Sequence, residues 1–197
     1  MERWICGQGT LLLTGINNAD DVNCLIWRLV LKKMTHEPSS ICWVFQSHVD
    51  CMNALERFLP DLSTFKILNR IRILNDVSRI DEFLLQYMFS TDLEYLRMLV
   101  VFSLDTLNAD NGLNPCTDKH YILCVINQFA LRHHLKALVF SSSKIPSLSE
   151  LRTADQGWIT CSSNYFTFED RLNPGVVEHW HVIGNFETIV QVSSIIE

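Results

Sequence analysis

The sequence specifies an α/β domain built on a mainly parallel central sheet, with helices on both faces and an antiparallel extension towards its C-terminal end. Three observations predict this class. Apolar runs of strand length recur at 10–14, 41–45, 71–74, 98–102 and 137–140, and they do not alternate, as suits central strands covered on both faces. Segments with helical spacing lie between them, the arrangement that builds parallel sheets. From 163 to 196 the pattern changes to alternation punctuated by turn residues.

Taken in order, the first strand at 11–14 runs into Gly15 and a short turn. The spacing of Val22, Leu25, Ile26, Leu29 and Val30 then predicts a helix starting near Asp20 or Asp21. A weaker helix is expected over 51–59, ending before Pro60. Ile80, Phe83, Leu84, Tyr87 and Met88 give a second apolar stripe; Tyr87, Met88 and Phe89 are expected in the core at a helix end, the alternative being that part of this stripe serves a subunit interface. Ile122, Val125, Ile126 and Phe129 give a third, on a helix expected over 121–134. In the tail, Phe166 and Phe168 share one face, as do Trp180 and Val182, with Asn173-Pro174-Gly175 and Gly184-Asn185 as turns.

A chain of 197 residues, 48% hydrophobic and 19% charged, is long enough for one domain with a sizeable core. With no repeat or low-complexity linker, residues 1–197 read as a single domain. The net charge of −6 is the wrong balance for a free-standing protein that holds nucleic acid mainly by neutralising phosphates. Seven cysteines, an odd number with no C-x-x-C pair, together with no evident signal peptide, imply free, mostly buried thiols in a reducing compartment. No apolar run is long enough to cross a bilayer, and the expected location is intracellular, in the nucleus or cytoplasm.

Strand, glycine turn and helix form the setting of a phosphate-binding loop, G-x-x-x-x-G-K-[ST]. Here the sequence from Gly15 to Val22 puts Asp20 at the second glycine, Asp21 at the lysine and Val22 at the hydroxyl residue. Two carboxylates thus stand where a triphosphate would lie, and repulsion between like charges opposes binding. A capping role for Asp20 or Asp21 at the helix start is compatible with this loss. The apolar run at 98–102 should carry a magnesium-holding carboxylate at its end, but it offers Phe102 and Ser103, with Asp105 two or three residues late.

The order of elements resembles the ATPase core of the RecA-type recombinases and their paralogs, from Gly9 to Ile196. The run Gly9-Thr10-Leu11-Leu12-Leu13-Thr14-Gly15 resembles the strand entering the family's phosphate loop, and Ile41-Cys42-Trp43-Val44-Phe45-Gln46 its second strand. Beyond that strand, where the family's catalytic glutamate usually falls, stand Gln46, Ser47 and His48; the family's magnesium-binding aspartate falls on Phe102. The strand ending in Ser141-Ser142-Ser143 resembles the one that closes on a polar sensor, and Gly157-Trp158 with Arg171-Leu172 fits a further strand over 158–171.

The resemblance implies a pseudo-ATPase core with a degenerate nucleotide site, without the family's helical N-terminal DNA-binding domain. It implies a small non-catalytic subunit like those of Shu-type complexes, nuclear, that forms a heterodimer with another recombinase paralog and promotes or remodels recombinase filaments on single-stranded DNA in homologous recombination and DNA repair. No cofactor is expected on this chain, and any ATP and magnesium would sit on the partner. The segments matching DNA-facing loops, 109–119 and 144–156, carry only Lys119, Lys144 and Arg152 against Asp110, Asp118, Glu150 and Asp155, so contact with DNA would be indirect, through the complex. Trp4 and Gly7 have the aromatic-x-x-small form by which recombinase protomers dock; the alternative is a tryptophan lid over the chain's own core. A second reading of the whole is a RecA-like scaffold in an unrelated assembly, such as an Elongator-type ring.

Two other constellations carry little. His179-x-His181 and His133-His134 offer imidazoles, but zinc needs two more converging ligands and no cysteine pair has finger spacing, so no metal is expected. Ser141 to Ser143 follow a buried strand without the G-x-S-x-G elbow of a nucleophilic hydrolase, and they read as a strand-end loop.

Overall fold

The computed structural model describes residues 7–14, 19–56, 66–75, 79–102, 115–141, 155–162, 165–170, 176–183 and 188–196; side chains at 15–21, 48, 103–118, 120, 142–166, 169–176 and beyond 181 are outside that set. The elements are β1 (Gly9–Thr14), α1 (Ala19–His36), β2 (Ile41–Phe45), α2 (His48–Leu55), β3 (Ile71–Ile73), α3 (Ile80–Tyr87), β4 (Leu96–Val101), α4 (Pro115–Arg132) and β5 (Lys136–Ser141), followed by β6 (Asp155–Ser162), β7 (Tyr165–Asp170), β8 (Val176–Ile183) and β9 (Thr188–Ile196). They form one nine-stranded sheet in the order β3-β2-β4-β5-β1-β6-β7-β8-β9. From β3 to β6 every neighbouring pair is parallel; from β6 to β9 every pair is antiparallel. The predicted architecture is therefore present, including the change of direction just after residue 162.

Strand pleating sorts the core into two layers. Leu11, Leu13, Cys42, Val44, Met98, Val100, Leu138 and Phe140 point to the face covered by α1 and α2. Leu12, Trp43, Phe45, Leu99, Val101, Ala137 and Val139 point to the other, under α3 and α4. Both faces are buried, which is why the inner strands read as unbroken apolar runs. Phe168 and Trp180, from the antiparallel half, belong to the α1 layer and stack with centroids 6.3 Å apart.

Several elements differ from their sequence-based outlines. Helix α1 begins at Ala19, so Asp20 and Asp21 fall in its first turn. Helix α2 begins at His48, three residues before the expected start, because Ser47 caps it: its hydroxyl accepts from the Asp50 N–H at 3.2 Å. Helix α4 starts at Pro115 rather than near 121, with proline at the first helical position, where the missing N–H costs nothing. It ends at Arg132, and His134 follows with φ 53°. The run at 71–74 is an edge strand of three residues with Arg72 exposed, not a covered one. The stretch 158–171 divides into β6 and β7, which pair as antiparallel neighbours. Phe89, expected in the core, is 77% exposed.

Candidate functional site

In an open parallel sheet, ligands are taken up at the carboxyl ends of the strands. Here β1 ends at Thr14, β2 at Phe45, β4 at Val101 and β5 at Ser141. Phe102 continues from β4, and its N–H donates to the Phe45 carbonyl at 2.9 Å, so the residue is held in line with the sheet. Its ring stacks on Phe140 of β5 (centroids 5.4 Å, planes 21° apart) and on Trp27 of α1 (6.5 Å, 14°). Three aromatic side chains therefore fill the space between β4, β5 and α1. Phe102 offers no oxygen to a metal ion.

The position after β2 is committed as well. Trp27 Nε1 donates to Gln46 Oε1 at 3.0 Å, and Gln46 Nε2 donates to Asn23 Oδ1 at 2.8 Å. Asn23 Nδ2 in turn donates to the Asp50 carbonyl at 3.2 Å. This chain of bonds joins α1, the end of β2 and the first turn of α2, and it satisfies both ends of an amide that is buried. Next to it, the Ser47 hydroxyl is engaged with Asp50, donating to Oδ2 at 2.6 Å. The polar groups beyond β2 thus serve structure.

Of the phosphate-loop positions, Val22 is buried in the α1 layer. Asp20 and Asp21 are fixed only as backbone positions, and Gly15 lies outside the described residues. Ser103, Asp105, Lys144, Arg152 and Trp4 lie outside them too. Gly7 is exposed with φ 83°, a conformation that favours glycine. Lys119 is on α4, half-buried and engaged, well separated in sequence from Lys144 and Arg152. Gly157 and Trp158 sit in β6, paired with Leu13 and Thr14 of β1.

Among the described residues no group of three ligating side chains occurs, and His179 Nδ1 lies 3.3 Å from the Thr167 hydroxyl. Cys24, Cys42 and Cys51 are buried and outside any disulfide, while Cys124 is exposed. Burial pushes the Cys51 thiol up to about 11 and the Cys42 thiol higher still, against the opposing charge of Lys33. Cys42 and Cys51 are thus packing groups rather than nucleophiles.

Two solved structures share this architecture across nearly the whole chain. The RadB recombinase superposes with a TM-score of 0.66 at 11% identity, covering 96% of this chain and 93% of that one. A KaiC-like protein from Pyrococcus horikoshii OT3 gives 0.68 at 13% identity, covering 98% and 95%. The fold is RecA-like. No protein-family profile matches the sequence, and no curated protein does. The RecA-like fold was legible in the strand and helix order, whereas the Trp27–Phe102–Phe140 stack was not. A signal for it did exist: three large aromatics stand at strand ends and on the first helix, where a nucleotide site needs polar groups.

Proposed function

We propose that this chain is a non-catalytic RecA-like subunit, a pseudo-ATPase that pairs with a recombinase-related partner and promotes or remodels recombinase filaments on single-stranded DNA. The observation that supports it most is the aromatic stack on Phe102. A side chain that would hold magnesium is replaced by a ring locked between Trp27 and Phe140, and restoring a carboxylate there would bury a charge among apolar groups. Beside it, Gln46 has both its amide ends occupied by the scaffold. ATP and magnesium belong on the partner in this reading, and DNA is met through the complex. The nucleus is the compartment where such a subunit works.

The test is affinity purification from cell extract with mass-spectrometric identification, followed by ATP binding on the recovered complex with and without this chain. Recovery of a recombinase paralog, with ATP bound only when the partner is present, is the expected result. Tight binding of ATP and magnesium by the isolated chain would refute the inert site. Recovery of Elongator-type ring subunits in place of paralogs would move the scaffold to another assembly.

A further inference from the structure

The face formed by α3 and α4 carries a groove of about 800 Å³ lined by Leu85, Met88, Phe89, Tyr121, Val125 and Leu131, among others. Phe89 is 77% exposed and Tyr121 52%, while Leu85 and Leu131 are also open to solvent. Among the described residues no carboxylate lines this groove. At one end it meets a second hollow of about 480 Å³, and the two share Arg132 and His134. Arg97 adds a positive charge to that hollow, His133 lines it, and Glu94 is its one acid among the described residues. Arg132 lies over the Phe89 ring at 4.5 Å, which ties the charge to the apolar floor. Arg97 Nη1 donates to the Glu94 and Leu96 carbonyls, and among the described residues neither Arg97 nor Arg132 is paired with a carboxylate.

We infer that this face docks a helical segment of a partner protein that carries apolar anchors one turn apart and carboxylates beside them. The anchors enter between α3 and α4, and the carboxylates meet Arg132 and Arg97. Charge complementarity selects this occupant. The chain as a whole is acidic, at −6, so a groove with no carboxylate among its described lining residues, ending at Arg132 with Arg97 in the adjoining hollow, is a local reversal that attracts an acidic ligand. A second copy of the chain fits less well, because a two-fold contact centred here brings the same cations together. Single-stranded nucleic acid would use the arginines and the exposed rings, but the floor is largely aliphatic, which favours helix-in-groove binding over base stacking. This inference does not rest on the recombinase-partner reading.

The experiment is selection of a phage-displayed library of helical peptides on the immobilised full-length chain, with the recovered peptides measured against Phe89→Ser and Arg132→Glu. Both sites are exposed, so the variants keep the fold, and circular dichroism checks this. The expected result is enrichment of peptides with apolar residues at i and i+3 or i+4 beside Asp or Glu. Affinity should fall at least about tenfold on either variant, and peptides with Lys in place of the acids should regain binding on Arg132→Glu. Enriched peptides without acids, undiminished binding to Phe89→Ser, or no enrichment would overturn the proposal. Binding of an oligothymidylate that Arg132→Glu abolishes would overturn it in favour of nucleic acid, and self-association lost in Phe89→Ser would do so in favour of a second copy.

Discussion

Gln46, at the end of β2, is committed to structure. In the resembling family a catalytic carboxylate is expected just beyond β2; here a neutral amide occupies the end of the strand and bonds to Trp27 and Asn23 at once. Gln46→Ala leaves the buried indole N–H without its acceptor, and such a loss costs about 1 to 3 kcal/mol. Urea denaturation should record that drop, and Gln46→Glu should not produce magnesium-dependent nucleotide binding, because Phe102 still fills the neighbouring place. An unchanged midpoint in Gln46→Ala would mean that the bonded chain contributes nothing to stability. From the sequence, the resemblance set the family's glutamate near Gln46, Ser47 and His48 and its aspartate on Phe102. It could not show what had replaced these carboxylates, since the contact between residues 27, 102 and 140 exists only after the sheet is assembled.

At the scale of the element, α1 is held at its far end by a residue from another part of the chain. Arg70, just before β3, donates to the carbonyls of Met34 at 2.6 Å and Glu37 at 2.9 Å, and it also reaches Ser40. Helices end with unsatisfied carbonyls, and a guanidinium there also meets the negative end of the helix dipole. Arg70→Met should therefore destabilise the chain by about 1.5 to 3 kcal/mol, with amide exchange speeding first in the last turn of α1. Protection unchanged there would exclude the cap. Strong apolar stripes announced α1, α3 and α4, yet their ends were less legible. Ser47 extends α2 backwards through a cap, and Pro115 opens α4 well before its apolar stripe begins. Phe89 follows the α3 stripe in sequence but lies past the C-terminal end of that helix, Tyr87, so periodicity no longer fixes its direction. The run at 71–74 looked like a covered strand because it is apolar, and only strand order reveals it as an edge.

For the molecule as a whole, the parallel and antiparallel halves share one core, since Phe168 and Trp180 lie in the same apolar cluster as α1. Trp180→Ala removes a fully buried ring and should cost about 3 to 5 kcal/mol. Helix circular dichroism and amide protection in β1 should then report one common, lowered transition; two separated transitions would show that the tail unfolds by itself. The order of strands also fixes when the domain can be completed. β1, the first of the nine strands in chain order, is flanked by β5 and β6, which come from the last third of the sequence. During synthesis it must wait, apolar and unpaired, until β5 and then β6 have been translated, after β2 to β4 and their helices. Long-range parallel pairing of this kind folds slowly and leaves sticky strand edges open meanwhile, so a chaperone's hold on the nascent chain would act during the wait for residues 136–162.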